Sequence, residues 1–135
     1  MDLIKSMLIS ASGLRAQSSR MRVISENLAN ADSMGNAPGA DPYRRKTITF
    51  RNVLDRSLGM EKVVPGQVLR DKSDFETRFD PGHPAADKNG YVKMPNVNMM
   101  IEMSDMREAQ RSYEANLSAI ETAKGMLNRL LDLLR

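Results

Sequence analysis

Residues 98–134 read NMMIEMSDMREAQRSYEANLSAIETAKGMLNRLLDLL, and within them Met99, Met106, Tyr113, Ile120, Leu127 and Leu134 recur at every seventh position. Met103, Leu117 and Leu131 fill much of the adjacent stripe. An apolar repeat of seven lays one continuous band along a helix, and such a band is buried only against another helix. Asn98 is a suitable N-cap, with Glu102 and Asp105 near the positive end of the helix dipole and Arg129 and Arg135 near the negative end. The stretch therefore predicts one long helix that must find its partner elsewhere.

The other end of the chain supplies one. Met7, Leu14, Met21 and Leu28 recur every seven residues, with Ile4, Ala11, Ser18 and Ser25 alongside, so residues 3 to about 31 predict a second helix. Gly13 inside it costs about 1 kcal/mol relative to Ala, which leaves the isolated helix marginal. Folding the two ends against each other buries both bands. The expected fold is mainly α: the N- and C-terminal helices paired as an antiparallel coiled coil, with a small irregular β-containing module between them. The expected segments are 1–31, 32–97 and 98–135.

Between the helices the pattern changes. Asn30, Asp32, Gly35, Asn36, Pro38, Gly39 and Pro42 end the first helix. Lys46–Phe50 and Phe75–Phe79 alternate as strands do, Pro65-Gly66 predicts a turn after Val63-Val64, and Asn89-Gly90 predicts a hairpin turn before Tyr91-Val92. This middle is too poor in apolar residues to stand alone.

Composition narrows the function. Only 4% of the 135 residues are aromatic, Trp and Cys are absent, and there are 11 Met. Methionine adapts to several packing partners, which favours quasi-equivalent helix contacts. Without cysteine there is no disulfide framework and no thiolate metal site. A net charge of +3 is too mild to argue for nucleic acid. Asp2, Lys5 and Ser6 break up any secretion signal, and no run reaches the 18 or so apolar residues of a membrane span, so the residues alone predict a cytosolic protein.

Candidate chemistry is thin. His83 is the only histidine and lies among turn formers in Asp80–Pro84, with no nucleophile, base or second ligand to join it, so we expect no enzyme, no metal and no cofactor. Asp87–Gly90 resembles a calcium loop only in two oxygen side chains and is better read as a hairpin turn. Tyr43, Arg44, Arg45 and Lys46, followed by Phe50 and Arg51, offer a nucleic-acid strand in principle. A solvated or acidic-partner-facing strand outweighs it. A membrane-binding amphipathic helix is disfavoured because the polar faces carry both signs of charge. Two non-enzymatic readings remain, a subunit of an assembly and a soluble helical adaptor that binds a partner through its C-terminal stripe.

Ser12-Gly13-Leu14-Arg15-Ala16-Gln17, Arg20-Met21 and Ser25–Ala31 resemble the N-terminal signature of the bacterial flagellar rod and hook family, and Met106–Asn116 is similar to its paired C-terminal motif. Tyr43–Lys46, Asp80–Pro84, Asn89–Val92 and Pro95–Asn98 resemble its proximal-rod members. Residues 31–42 depart from the compact Thr-Pro-Gly turn of many relatives. The resemblance implies a structural subunit of the basal-body rod, the drive shaft that transmits motor torque across the periplasm. Its expected partners are other rod proteins and itself in a helical assembly, the flagellar type III export apparatus in transit, and the inner-membrane ring. Export without a cleaved signal peptide is implied, with neither nucleic acid nor a membrane span involved. The expected assembly interface is Met7, Leu14, Met21, Leu28, Met106, Tyr113, Leu117, Ile120, Leu127 and Leu131. Phe50 and Leu54, spaced Phe-x-x-x-apolar, match a short element the family's export gate is thought to read, with packing of Phe50 the competing role.

Overall fold

The computed structural model describes residues 3–134; Met1, Asp2 and Arg135, at the outer ends of the expected segments, lie outside them. Helix α1 spans Leu3–Ala29 and helix α2 spans Met99–Leu133. Between them run β1 (Lys46–Asp55), β2 (Met60–Arg70), β3 (Thr77–Phe79) and β4 (Tyr91–Lys93), paired β1 with β2 and β3 with β4 in two separate two-stranded sheets. The expectation of two terminal helices with a small β region between them matches this order. Helix α2 opens as its sequence dictates: Asn98 Oδ1 accepts the amides of Met100 at 3.0 Å and Ile101 at 3.3 Å, satisfying two donors that have no partner within the helix.

The chain forms two compact units, and each helix contributes to both. The first takes the chain up to Arg22, Ile48–Gln67 and the residues from Arg107 onward. Its buried residues are mostly small, Ser12, Ala16, Ala109 and Ala123, with Met60 of β2 the one large side chain among them. A Cβ added to Gly13 would stand 2.9 Å from the Asn116 side chain, so the glycine that weakens the helix locally is also what admits Asn116. Ser12 donates to the Ile9 carbonyl at 2.6 Å and accepts the Val63 amide at 3.1 Å, tying α1 to β2.

One expectation in this unit fails. Pro65 and Gly66 lie inside β2, not in a turn. A two-stranded ribbon has an outer edge on each strand, where the missing proline N–H breaks no ladder bond. Gly66 is there for close approach, since a Cβ would sit 2.5 Å from Thr49 Oγ1. The turn itself is at residues 56–59, where Gly59 takes φ 58° and Asp55 accepts bonds from Ser57 and Lys62.

The second unit takes Val23–Thr47 and Val68–Met106. Strands β3 and β4 are antiparallel, Thr77 opposite Lys93 and Phe79 opposite Tyr91, with the two rings edge to face at 5.3 Å. The expected strand at residues 75–79 is thus shorter, beginning at Thr77. The Asn89-Gly90 turn forms as predicted: Gly90 has φ 83°, and Asp87 Oδ1 accepts the amides of Asn89 and Tyr91. His83 Nδ1 accepts the Ala85 amide at 3.1 Å, a turn role.

Candidate functional site

Two arrangements of side chains stand out, a polar cluster in the second unit and the apolar residues that the helices leave uncovered. The cluster centres on Glu102, which is fully buried one turn into α2. Its Oε2 accepts from Asn27 Nδ2 of α1 at 3.0 Å and its Oε1 from Arg45 Nε. Asn27, only 1% exposed, uses every other polar atom it has: Nδ2 also donates to the Lys46 carbonyl at 2.8 Å, and Oδ1 accepts from the Lys46 amide and Tyr43 Oη, each at 2.9 Å. A buried carboxylate is tolerable only when paired and hydrogen-bonded in this way.

Arg45 extends the cluster outward. Its guanidinium lies 3.5 Å from Asp71 and 3.7 Å from Asp105, and its amide donates to Asn96 Oδ1 at 2.7 Å. Burial opposes its charge, but the Glu102 hydrogen bond and the attraction of Glu102 and Asp71 outweigh that and raise its pKa. Burial likewise pushes the Tyr43 phenol up, with Glu26 and Glu102 adding to the effect and Lys46 opposing it. Asp71 is held below the usual carboxylate range, chiefly by the Ser73 amide and hydroxyl and then by Arg45. Arg44 donates to the carbonyls of Asp71 and Ser73 and lies 4.2 Å over the Phe75 ring, while Lys46 pairs with Glu26 at 2.8 Å.

This corrects the reading of Tyr43–Lys46 as a solvated or partner-facing strand. All four side chains are engaged within the chain: Arg45 neutralises the buried Glu102, while Tyr43, Arg44 and Lys46 bond to Asn27, to the Asp71 and Ser73 carbonyls and to Glu26. Glu102 and Asn27 escaped the sequence reading. The sequence reads Glu102 only as a helix-dipole residue and Asn27 only as one position of the Ser25–Ala31 signature. The available signal was a second heptad, Glu102, Ala109, Asn116 and Ala123, small or polar at every seventh residue. All but the half-buried Asn116 are buried.

The ten expected interface residues fall beside this inner line. Met7, Leu14, Met21 and Leu28 on α1 are half-buried, as are Met106, Tyr113, Ile120 and Leu127 on α2. Leu117 and Leu131 are exposed, together with Ile4, Met99, Met103 and Leu134. Ser12, Ala16, Val23, Ile24 and Asn27 are the α1 residues that are buried. Close approach selects the smaller side chains for the centre and leaves the bulkier ones straddling it. Phe50 is 38% exposed and Leu54 is 58% exposed; residues 50 and 54 of a strand share one face. Among the described residues no group of three His, Cys, Asp or Glu can hold a metal, and no helix is long and apolar enough to cross a membrane.

Both helices match known flagellar sequences. Residues 7–35 match the family described as flagella basal body rod protein, and residues 88–133 match the C-terminal family of the flagellar basal body rod FlgEFG proteins. The chain is 55% identical over 127 residues to the flagellar basal-body rod protein FlgC of Agrobacterium fabrum, covering 94% of this chain and 91% of that protein. The chain belongs to the FlgC family. FlgC of Salmonella typhimurium is 40% identical over 98% of both chains, and that of Bacillus subtilis 37% identical over 98% of this chain and 99% of its own. Within this FlgC-family chain Asn27 falls in the first matched segment, Glu102 in the second, and Arg45 in neither.

Proposed function

We propose that this chain is a structural, non-enzymatic subunit of the flagellar basal-body rod. The observation that carries the reading is near-full-length similarity to proteins named for that role, joined to a geometry with bulky apolar residues left uncovered on both helices. Exposed Leu117, Leu131 and Met103 are costly on an isolated chain and useful on one that packs among neighbours. The adaptor reading needs one partner on one stripe, whereas uncovered apolar residues occur on α1, α2 and the β1–β2 hairpin alike.

In finer detail, α1 and α2 pair as an antiparallel coiled coil. Supporting this in the first unit, Gly13 lies against Asn116 while Arg20 lies 3.4 Å from Glu108, so position rises along one helix as it falls along the other. Segments 1–31 and 98–135 then form the assembling core and residues 32–97 the intervening module. The half-buried and exposed members of the two stripes, from Met7 to Leu28 and from Met106 to Leu131, contact neighbouring rod subunits in a helical tube that transmits torque. The chain reaches the rod across the periplasm through the type III export channel, and Phe50 and Leu54 are the candidate export-gate element. Contact with the inner-membrane ring follows from a proximal place in the rod.

Deleting the gene should abolish swimming and yield basal bodies without a completed rod, and a tagged copy should restore both and co-purify with basal bodies. A tagged chain that restores motility yet never co-purifies would remove the rod reading and favour the adaptor.

A further inference from the structure

We propose that the β1–β2 hairpin tip of one copy seats in an acidic, methionine-lined groove at the start of α2 on a second copy. The inference rests on the rod reading and names one contact within it.

The hairpin tip is an apolar ribbon without cover. From Thr49 to Gly59 every residue except Asp55 is exposed, including Phe50, Val53, Leu54 and Leu58. Alternation sends Phe50 and Leu54 to one face and Arg51 and Val53 to the other, so neither face is packed. Two-stranded hairpins are marginal in water without a covering surface. Arg51 and Arg56 lie on this tip, and among the described residues neither makes an ion pair, whereas Asp55 is already neutralised by Lys62. The tip therefore presents apolar side chains with two unspent positive charges.

The groove is its complement. An open depression of about 510 Å³ in the second unit is lined by Asp32, Asp74 and Glu76 on one hand and Met94, Met99 and Met100 on the other. None of the three carboxylates makes an ion pair among the described residues, and Met99 and Met100 are 50% and 77% exposed. Methionine rims adapt to an inserted aromatic or leucine, and carboxylates beside them select an arginine-bearing one. Because tip and groove are different patches of the same chain, their contact is heterologous and repeats from copy to copy, as a helical or ring-like assembly requires.

The absence of native cysteine makes the test direct. Val53→Cys, outside the Phe50–Leu54 pair, and Met99→Cys are placed on two differently tagged chains expressed together, and isolated basal bodies are oxidised or treated with a short bis-maleimide. The expected result is a mixed dimer carrying both tags. Charge reversal at Arg51→Glu and Arg56→Glu should lower its yield about tenfold, the effect of little more than 1 kcal/mol, and Asp74→Arg with Glu76→Arg on the second chain should restore it. Both chains present in basal bodies without a mixed dimer, or the hairpin cysteine captured instead by a different rod protein, would overturn this contact while leaving the rod assignment standing. Absence of both chains from basal bodies would remove the assignment and the contact together.

Discussion

The two units hold their helical segments by opposite means. In the first, alanines at positions 16, 109 and 123 and the Gly13–Asn116 approach bring backbones close, and the Arg20–Glu108 ion pair between the helices lies at the surface. In the second, a buried carboxylate is held by a guanidinium and an amide. Small-residue contact is tolerant: each side chain contributes little, and none is indispensable. A buried ion pair is intolerant, because removing one partner strands the other. Its gain is specificity, since Asn27, Arg45 and Glu102 satisfy one another in one register only, whereas a line of alanines slides. The difference teaches where this chain keeps its registration device: in the unit that holds a buried charge, beside the start of α2.

The largest effect should come from breaking that device. Arg45→Ala leaves the fully buried Glu102 carboxylate without its guanidinium and should cost about 3 to 5 kcal/mol, measured by urea unfolding followed by circular dichroism. Glu102→Gln keeps the Asn27 contact and should fall between it and wild type. If both variants unfold with the wild type, the cluster is dispensable and the comparison collapses. A Glu102→Met, Arg45→Met double variant sharpens it: apolar replacement of both partners should recover much of the loss while weakening assembly through lost register.

The next effect belongs to the stripes beside the seam. Leu117 is exposed and Ile120 half-buried, three residues apart on α2. Ile120→Asp should destabilise the isolated chain by about 1 to 3 kcal/mol, as burying an ionised group without a partner does. Leu117→Asp should leave the isolated chain within about 0.5 kcal/mol of wild type, as exposed substitutions do, yet still abolish motility. Equal stability losses would mean that both positions serve the fold, and normal swimming by Leu117→Asp would mean that its stripe is not covered in the rod.

These two cases also mark how far the sequence could be read. The helices, the Asn98 cap, the strands near residues 46–50 and the Gly90 turn were legible because each rests on local chemistry: periodicity, capping, alternation or a positive φ. The heptads are legible too, but their bulkiest members flank the seam and do not fill its centre. Packing puts the small heptad of Ala109, Asn116 and Ala123 at the centre, because how closely two helices approach is a property of the pair, and its one mark in the sequence is that run of small or polar residues. The Glu102 cluster was illegible for a related reason. Its members, at 27, 43–46, 71, 96 and 102, are adjacent only after folding. The Pro65-Gly66 misreading came from weighing local turn preference above the tolerance of an edge strand.

A smaller effect tests the seam's dependence on glycine. Gly13→Ala gains about 1 kcal/mol of helix propensity and loses a similar amount by pushing on Asn116, so it should be nearly neutral. Gly13→Val adds bulk that Asn116 cannot evade and should cost about 1 to 3 kcal/mol. Pairing it with Asn116→Ala should return most of that loss, since the collision is with one flexible side chain. Failure of the second change to rescue the first would show that backbone, not Asn116, sets the helix spacing.

The smallest effect concerns acid, and it asks whether the two units respond alike. Asp55 in the first unit is held down to about 2, first by the Ser57 hydroxyl and then by Lys62, and Asp71 in the second is lowered chiefly by Ser73. A carboxylate whose folded pKa lies below its unfolded value lends stability that is fully present above the unfolded value, near 4, and drains away as pH falls through the folded one. Melting temperature should therefore hold from neutral pH down to about 5 and decline between about 4 and 2. Asp55 and Asp71 are both partly exposed, so the share of each should be screened and small, and salt should shrink it further. Asp71→Asn should flatten more of the acid decline than Asp55→Asn, because Asp71 also lies beside the guanidinium that neutralises Glu102. If Asp55→Asn flattens the decline as much or more, the hairpin's own turn is the acid-sensitive part of the molecule, and the polar cluster owes its resistance to Asn27 and Arg45 alone.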